Sequence, residues 1–164
     1  MNFEEVKKHV NKALKQLLEK DIFLLQNNLN ERTISHKLAE YLQGEFPDWN
    51  VDREYNRKFE KIKKLHPEDI KSDDTDARTV YPDIIIHHRN TDDNLLIIEI
   101  KKNASESDKE NDIDKIRGFI EEYKYSYGLF IDFITGTEEA GVKSKQWFPE
   151  EYNQPILDKN TKIG

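Results

Sequence analysis

Three charged residues stand in two apolar segments between Tyr81 and Lys102, which have the pattern of two β-strands joined by a polar turn. Asp83 opens the first strand, and Glu99 and Lys101 close the second. A charged side chain among buried apolar groups costs free energy unless it is paired or binds a metal. Two carboxylates can hold Mg²⁺, which polarises a phosphoryl oxygen and lowers the pKa of bound water. A nearby lysine can orient that water or stabilise negative charge on the phosphate. The residue types therefore predict metal-assisted attack on a phosphodiester.

The spacing of these residues predicts that they share one face of a hairpin. With a turn over Asn90–Asn94, Asp83 is expected opposite Lys101, and Ile85 opposite Glu99. Facing residues share a sheet face, as do residues two apart on one strand. Glu99 is then diagonal to Asp83, at about 7–8 Å between backbones, which two carboxylates can close around one cation. A bulge or a one-residue slip would move Asp83 to the other face.

A purely structural interpretation of the same residues is the alternative. Pro-Asp often starts a strand, and Glu-x-Lys often marks a solvated edge. The segment Leu95–Ile100 is apolar on both alternations apart from Glu99, which indicates a central strand and favours a site over a coincidence.

Pro82-Asp83 and Glu99-Ile100-Lys101 resemble the two motifs of the PD-(D/E)xK nuclease superfamily, which has the restriction-endonuclease-like fold. The resemblance extends over roughly residues 30–134. It implies that Asp83 and Glu99 bind a metal with the carbonyl of Ile100 as a further ligand, and that Lys101 is catalytic. The implied metal is Mg²⁺, for which Mn²⁺ could substitute.

Glu31 has two interpretations. It stands in the first turn of a helix that is predicted to begin near Asn30 and to end near Gly44. A carboxylate at that position interacts favourably with the helix dipole and needs no further role. The resemblance implies instead that a helix before the core strands supplies a glutamate to the metal site, and Glu31 is similar to that residue.

The periodicity of the whole chain predicts a single α/β domain over residues 1–164, with a mixed central sheet flanked by helices. The resemblance implies an α-β-β-β-α-β core over about 30–134. The strand-helix-strand order after Leu95 predicts that the last core strand is parallel to the second hairpin strand. The other expected segments are an N-terminal helix at 3–19, a strand at 49–57, a polar loop at 58–79, a polar linker at 103–111, a helix at 112–123, a strand at 127–134 and a tail at 136–164.

Composition narrows the class of protein. The chain has no cysteine, no apolar run long enough to span a membrane and no signal-peptide pattern, so we expect a cytoplasmic protein without membrane contact. A net charge of −7 argues against a protein that coats nucleic acid, because such binding needs many basic contacts to phosphate. A basic cluster could contact phosphate, although solvated charge is the favoured interpretation: Arg53, Arg57, Lys58, Lys61, Lys63 and Lys64. Lys115 and Arg117 on the predicted 112–123 helix are treated in the same way.

We therefore predict an Mg²⁺-dependent nuclease that acts on nucleic acid, with DNA as the expected substrate. The alternatives are a non-catalytic nucleic-acid-binding or regulatory module that retains the nuclease fold, and an enzyme with the same chemistry directed at RNA. A homodimer or a protein partner could supply specificity. The tail aromatics Trp147, Phe148 and Tyr152 are candidate interface residues, although packing within the chain is favoured for them.

Overall fold

A five-stranded mixed sheet flanked by helices forms the fold. The computed structural model describes residues 1–55 and 81–153. The strands lie in the order β1-β2-β3-β4-β5; β3 and β4 are parallel, as predicted, and the other neighbours are antiparallel. The elements are α1 (Phe3–Lys20), α2 (Ile22–Gln26), α3 (Glu31–Glu45), β1 (Asn50–Arg53), β2 (Ile84–His87), β3 (Asn94–Lys102), α4 (Glu106–Tyr123), β4 (Tyr127–Ile134), β5 (Gly141–Phe148) and a 3₁₀-helix (Glu150–Asn153).

Helices α1 and α3 pack on one face of the sheet, and their boundaries agree with the sequence prediction. Their apolar stripes join a core cluster with the even-numbered residues of β3, such as Leu96 and Ile98. Asn30 caps α3 as predicted, because its side-chain oxygen accepts a hydrogen bond from the Thr33 N–H at 2.8 Å. Capping fixes the first turn of α3, where Glu31 lies.

Helix α4 packs on the opposite face and is longer than predicted. Ile116 and Phe119 contact the odd-numbered strand residues Ile85 and Ile97 in a second core cluster. The helix begins at Glu106 and not at 112, so most of the predicted linker over 103–111 is helical. The reason is local: the Ser105 side chain caps the helix by accepting a hydrogen bond from the Asp108 N–H at 3.2 Å.

A glycine allows α4 to lie close to the sheet. A Cβ atom added at Gly128 on β4 would lie 2.3 Å from Cγ2 of Ile116 and 3.1 Å from Cδ1 of Ile120. Both distances are too short for ordinary contact, so a side chain at this position would push the helix or its isoleucines outward. The separation of α4 from the strands therefore depends on this residue.

The predicted pairing of β2 with β3 is wrong by two residues. Ile85 lies opposite Ile97 and not opposite Glu99, and a bulge follows Ile86. Asn94, expected in the turn, belongs to β3 because its side chain donates to the Tyr123 carbonyl at 2.7 Å at the end of α4. A shift of two residues preserves the alternation, so Glu99 remains on the face that carries Ile97.

The tail contains a strand that the sequence analysis did not predict. β5 pairs with β4, and it buries Trp147 and Phe148. Tyr152 stacks on Phe3 with 4.0 Å between ring centroids. The three tail aromatics therefore pack within the chain, and Trp147 and Phe148 in particular are not exposed to a partner.

The first strand is shorter than the predicted segment 49–57, since β1 ends at Arg53 and Glu54 has a left-handed backbone, with φ 44°. The predicted loop at 58–79, Arg57 and the lysines at 58, 61, 63 and 64 lie outside the described residues, as does the tail beyond 153. Within the described ranges, no helix is both long and apolar enough to cross a membrane.

Candidate active site

Asp83 lies immediately before β2 and binds the end of β3. Its Oδ2 atom accepts a hydrogen bond from the main-chain N–H of Ile100 at 2.8 Å. Continuing the observed pairing by one residue from Ile84 and Ile98 places Asp83 opposite Glu99. The carboxylate of Asp83 thus takes the place of a main-chain acceptor at this point of the ladder, and it is fixed next to the residue that the motif pairs it with.

Glu99 is buried in the central strand β3 and forms an ion pair with a lysine of helix α4. Lys115 on α4 donates a hydrogen bond from Nζ to Glu99 Oε2 at 2.8 Å. The other oxygen, Oε1, is buried and has no hydrogen-bond partner in the described part of the chain. A buried, unpartnered carboxylate oxygen is rare and calls for an ion or a water molecule. The expectation that Lys115 is simply exposed is wrong.

Lys101 lies between two carboxylates that come from different helices. Its Nζ atom is 3.3 Å from Asp112 Oδ2 on α4 and 3.8 Å from Glu31 Oε2 on α3. The structure therefore brings Glu31 to the strand end that carries Glu99 and Lys101. This position agrees with the second interpretation of Glu31, in which it contributes to a site and does not only stabilise the helix.

Asp112 and Lys115 are the residues that the sequence analysis did not assign to the site. They are three apart on α4, so they lie on the same side of the helix. Their spacing was the available signal, but only the packing of α4 on the sheet shows that this side faces Glu99 and Lys101.

Burial and mutual repulsion raise the pKa of three carboxyl groups of the cluster, those of Glu99, Asp112 and Glu31. Burial raises the pKa of Glu99 well above its ordinary value; Lys115 opposes this effect and Asp83 adds to it. Burial also raises the pKa of Asp112, against the attraction of Lys101 and Lys115. The pKa of Glu31 is raised as well, because the effects of burial and of the Asp83 charge exceed the opposing effects of Lys101 and Lys102. For Lys101, burial lowers the pKa, but Asp112 and Glu31 together raise it above its ordinary value.

A polar network fixes the chain just before α3. Lys102 Nζ donates to the side-chain oxygen of Asn28 and to the carbonyl of Leu29, both at 3.0 Å. Thr135, just after β4, donates to the same Asn28 oxygen at 2.9 Å. These bonds join the segment before Glu31 to the ends of β3 and β4, and so they determine where Glu31 lies relative to Lys101.

A further aspartate on the same face is already engaged. Asp132 on β4 is the register partner of Lys101. Its Oδ1 atom accepts from the Ala104 N–H at 3.0 Å, and its Oδ2 atom is 3.2 Å from Lys143 Nζ. Because both oxygens have partners, Asp132 belongs to the support of the strand ends and not to the set of free ligands.

The cluster is closed at one end and open at the other. The exposed fraction of the side chain is 2% for Glu99, 13% for Asp112, 32% for Lys101 and 39% for Glu31. Among these four residues, Glu31 and Lys101 are therefore the most open to solvent, and Glu99 is the most buried.

The donor set suits a hard divalent cation, although the side chains are not gathered around one point. In residues 1–55 and 81–153, no three His, Cys, Asp or Glu side chains converge as a ready metal-binding group. Four carboxylates, those of Glu31, Asp83, Glu99 and Asp112, stand against the two ammonium groups of Lys101 and Lys115. With every group ionised, two negative charges are in excess. A divalent cation with oxygen ligands would balance them, and the unpartnered Oε1 of Glu99 is a fitting donor.

Comparison of the chain with family models, with curated proteins and with solved structures finds no match. The argument about function therefore depends on the residues of the cluster and on their geometry.

Proposed function

We propose that the chain is a metal-dependent nuclease of restriction-endonuclease-like fold that hydrolyses phosphodiester bonds in DNA. The element order α3-β1-β2-β3-α4-β4 agrees with the α-β-β-β-α-β core of that fold. The observation that carries the proposal is the environment of Glu99: a buried carboxylate with one unpartnered oxygen, beside Asp83 and at the base of an opening lined by Lys101.

In the proposed site, Asp83, Glu99, Glu31 and the carbonyl of Ile100 would hold Mg²⁺, and Mn²⁺ could replace it. The bound cation supplies a Lewis acid and lowers the pKa of a water ligand. Lys101, at the open side, orients the attacking water or stabilises the negative charge that develops on the phosphate. Asp112 and Glu31 both lie next to Lys101 and raise the pKa of its ammonium group.

A cleavage assay distinguishes the proposed nuclease from a non-catalytic module. The purified protein is incubated with single- and double-stranded DNA and RNA, with Mg²⁺, with Mn²⁺ and with chelator. We expect metal-dependent cleavage of DNA that Glu99→Gln abolishes and that Asp92→Asn retains, since Asp92 lies in the exposed turn between β2 and β3.

Two other outcomes have clear meanings. Cleavage of RNA alone would keep the chemistry and change the substrate. Metal-independent binding of nucleic acid, without cleavage under any of the conditions, would instead support the non-catalytic module.

A further inference from the structure

We propose that Asp112 and Lys115 are positioning residues of the site: Lys115 orients the Glu99 carboxylate for the metal, and Asp112 orients Lys101 for the phosphate. The inference rests on the proposed nuclease function and assigns a task to α4 within it. Neither residue belongs to the Asp83, Glu99 and Lys101 motif, and both come from the helix that closes the site.

The contact between Lys115 and Glu99 determines which oxygen is free. Nζ of Lys115 is 2.8 Å from Oε2, whereas Oε1 has no hydrogen-bond partner in the part of the chain that the structure describes. Fixing one oxygen of a carboxylate fixes its plane and directs the other oxygen. Partners of this kind orient the side chains that bind a metal and affect its affinity.

The contact between Asp112 and Lys101 restricts a flexible ammonium group. A lysine side chain has a long, rotatable stem, so its charge needs an external partner to remain in one place. Asp112 Oδ2 lies 3.3 Å from Lys101 Nζ, closer than Glu31 Oε2 at 3.8 Å. The side chain of Asp112 is 13% exposed and that of Glu31 is 39% exposed, so Asp112 provides the more buried of the two contacts.

The helix that carries both residues is held firmly on the sheet. Ile116 and Phe119 are buried against the strands, and Gly128 allows the close approach. A positioning residue is effective only when its own helix or strand is fixed, because any movement of that element also moves the group that the residue orients. The location of Asp112 and Lys115 on this element favours positioning over loose surface pairing.

The test of Lys115 is the affinity for Mn²⁺, measured by electron paramagnetic resonance without nucleic acid. We expect Lys115→Met to weaken Mn²⁺ binding about 10- to 100-fold, the usual effect of losing a group that orients a metal ligand. Removing a positive charge would by itself strengthen binding of a cation, so the expected direction is opposite to that of plain electrostatics. Lys115→Gln, which keeps a donor, should lie closer to wild type. Arg117→Met, on the same helix but paired with Asp114 and Glu150 outside the cluster, should not change the affinity.

The test of Asp112 compares the effect of one substitution on kcat with its effect on the affinity for Mn²⁺. We expect Asp112→Asn to lower kcat about 10- to 100-fold at saturating Mn²⁺, with a smaller loss of Mn²⁺ affinity than in Lys115→Met. An ion pair that serves only stability would change the unfolding midpoint and leave kcat of the folded enzyme as it was. Circular dichroism and thermal melting establish that each variant is folded.

Three results decide the matter. A folded Lys115→Met protein that binds Mn²⁺ as tightly as wild type, or more tightly, would overturn the role of Lys115. Unchanged kcat in Asp112→Asn would overturn the role of Asp112. If Lys115→Met does not fold, Lys115→Gln decides for Lys115, and Mn²⁺ affinity equal to or tighter than that of wild type would overturn its role. A wild-type protein that neither binds Mn²⁺ nor cleaves nucleic acid would overturn the proposed function, and the inference with it.

Discussion

Asp83 and Ile100 are joined by a hydrogen bond of 2.8 Å from the main-chain N–H of Ile100 to the carboxylate of Asp83. This bond holds Asp83 at the strand end, where its negative charge contributes to the raised pKa of Glu99. The two motif carboxylates therefore repel each other in the absence of a cation, and a bound cation would relieve that repulsion.

Asp83→Asn should be neutral or stabilising in chelator, because it removes one of the repelling charges and the amide oxygen can still accept from Ile100. The same change should reduce the rise in melting temperature that Mg²⁺ produces. Thermal unfolding with chelator and with Mg²⁺ measures both effects, and Asp92→Asn in the hairpin turn is the matched control. An identical response to Mg²⁺ in wild type and Asp83→Asn would count against Asp83 as a ligand.

Lys101→Met should lower kcat about 100- to 1,000-fold, the usual cost of losing a group that stabilises charge in the transition state. Binding of metal and nucleic acid should persist, because such a group acts mainly in the transition state. Steady-state kinetics measure kcat, and an assay with Ca²⁺, which supports binding without cleavage, measures the affinity for nucleic acid. Lys102→Met is the comparison: its ammonium group binds Asn28 and Leu29, so stability should fall and kcat should change less. Retained activity in folded Lys101→Met protein would refute the catalytic role.

In the metal-free protein, the contribution of Glu99 to stability should fall as pH rises above 4.5, the unfolded-state pKa of this carboxyl group. Burial raises the folded-state pKa of this carboxyl, so the folded state binds the proton more tightly than the unfolded state between the two pKa values. Stability is therefore highest below 4.5 for this group and declines until pH passes the raised folded-state pKa. Glu99→Gln should flatten the decline. Denaturant unfolding in chelator over a pH series tests it, and equal slopes in both proteins would contradict the assignment.

Gly128→Ala should destabilise the protein by about 1–3 kcal/mol, the usual cost of overpacking a core. The added methyl would lie 2.3 Å from Cγ2 of Ile116, so α4 or its side chains must move. Gly141→Ala is the matched control on a neighbouring strand, because a Cβ at that position meets nothing within 4 Å. Chemical denaturation of both variants gives the comparison; equal stabilities would show that α4 moves away from β4 at little cost.

The elements that depend on local signals could be predicted from the sequence. The apolar stripe of α1 and the cap at Asn30 are local signals, because each determines the structure of residues only a few positions away in the chain. The dense apolar segments gave β3 and β4, and the crossover rule gave their parallel pairing. Glu99 and Lys101 were recognised because charges in a central strand are costly and therefore informative.

The features that depend on tertiary contacts could not be predicted. The register of β2 on β3 follows from a bulge and from the bond between Asn94 and the end of α4. β5 alternates weakly and carries lysines, so only its pairing with β4 makes it a strand. Asp112 and Lys115 have the composition of an ordinary charged helix surface, and only the packing of α4 directs them to Glu99 and Lys101.

The exposed fraction of the side chains increases across the cluster, from the buried Glu99 to the partly exposed Lys101 and Glu31. A molecule that approaches Glu99 from the exposed side of the described cluster would meet Lys101 and Glu31 first. In the described part of the chain, the open side is bounded by the first turn of α3, where the exposed Arg32 pairs with Glu54 at 3.0 Å. In the proposed nuclease, a substrate would therefore meet the first turn of α3 before it reaches the carboxylates of the hairpin.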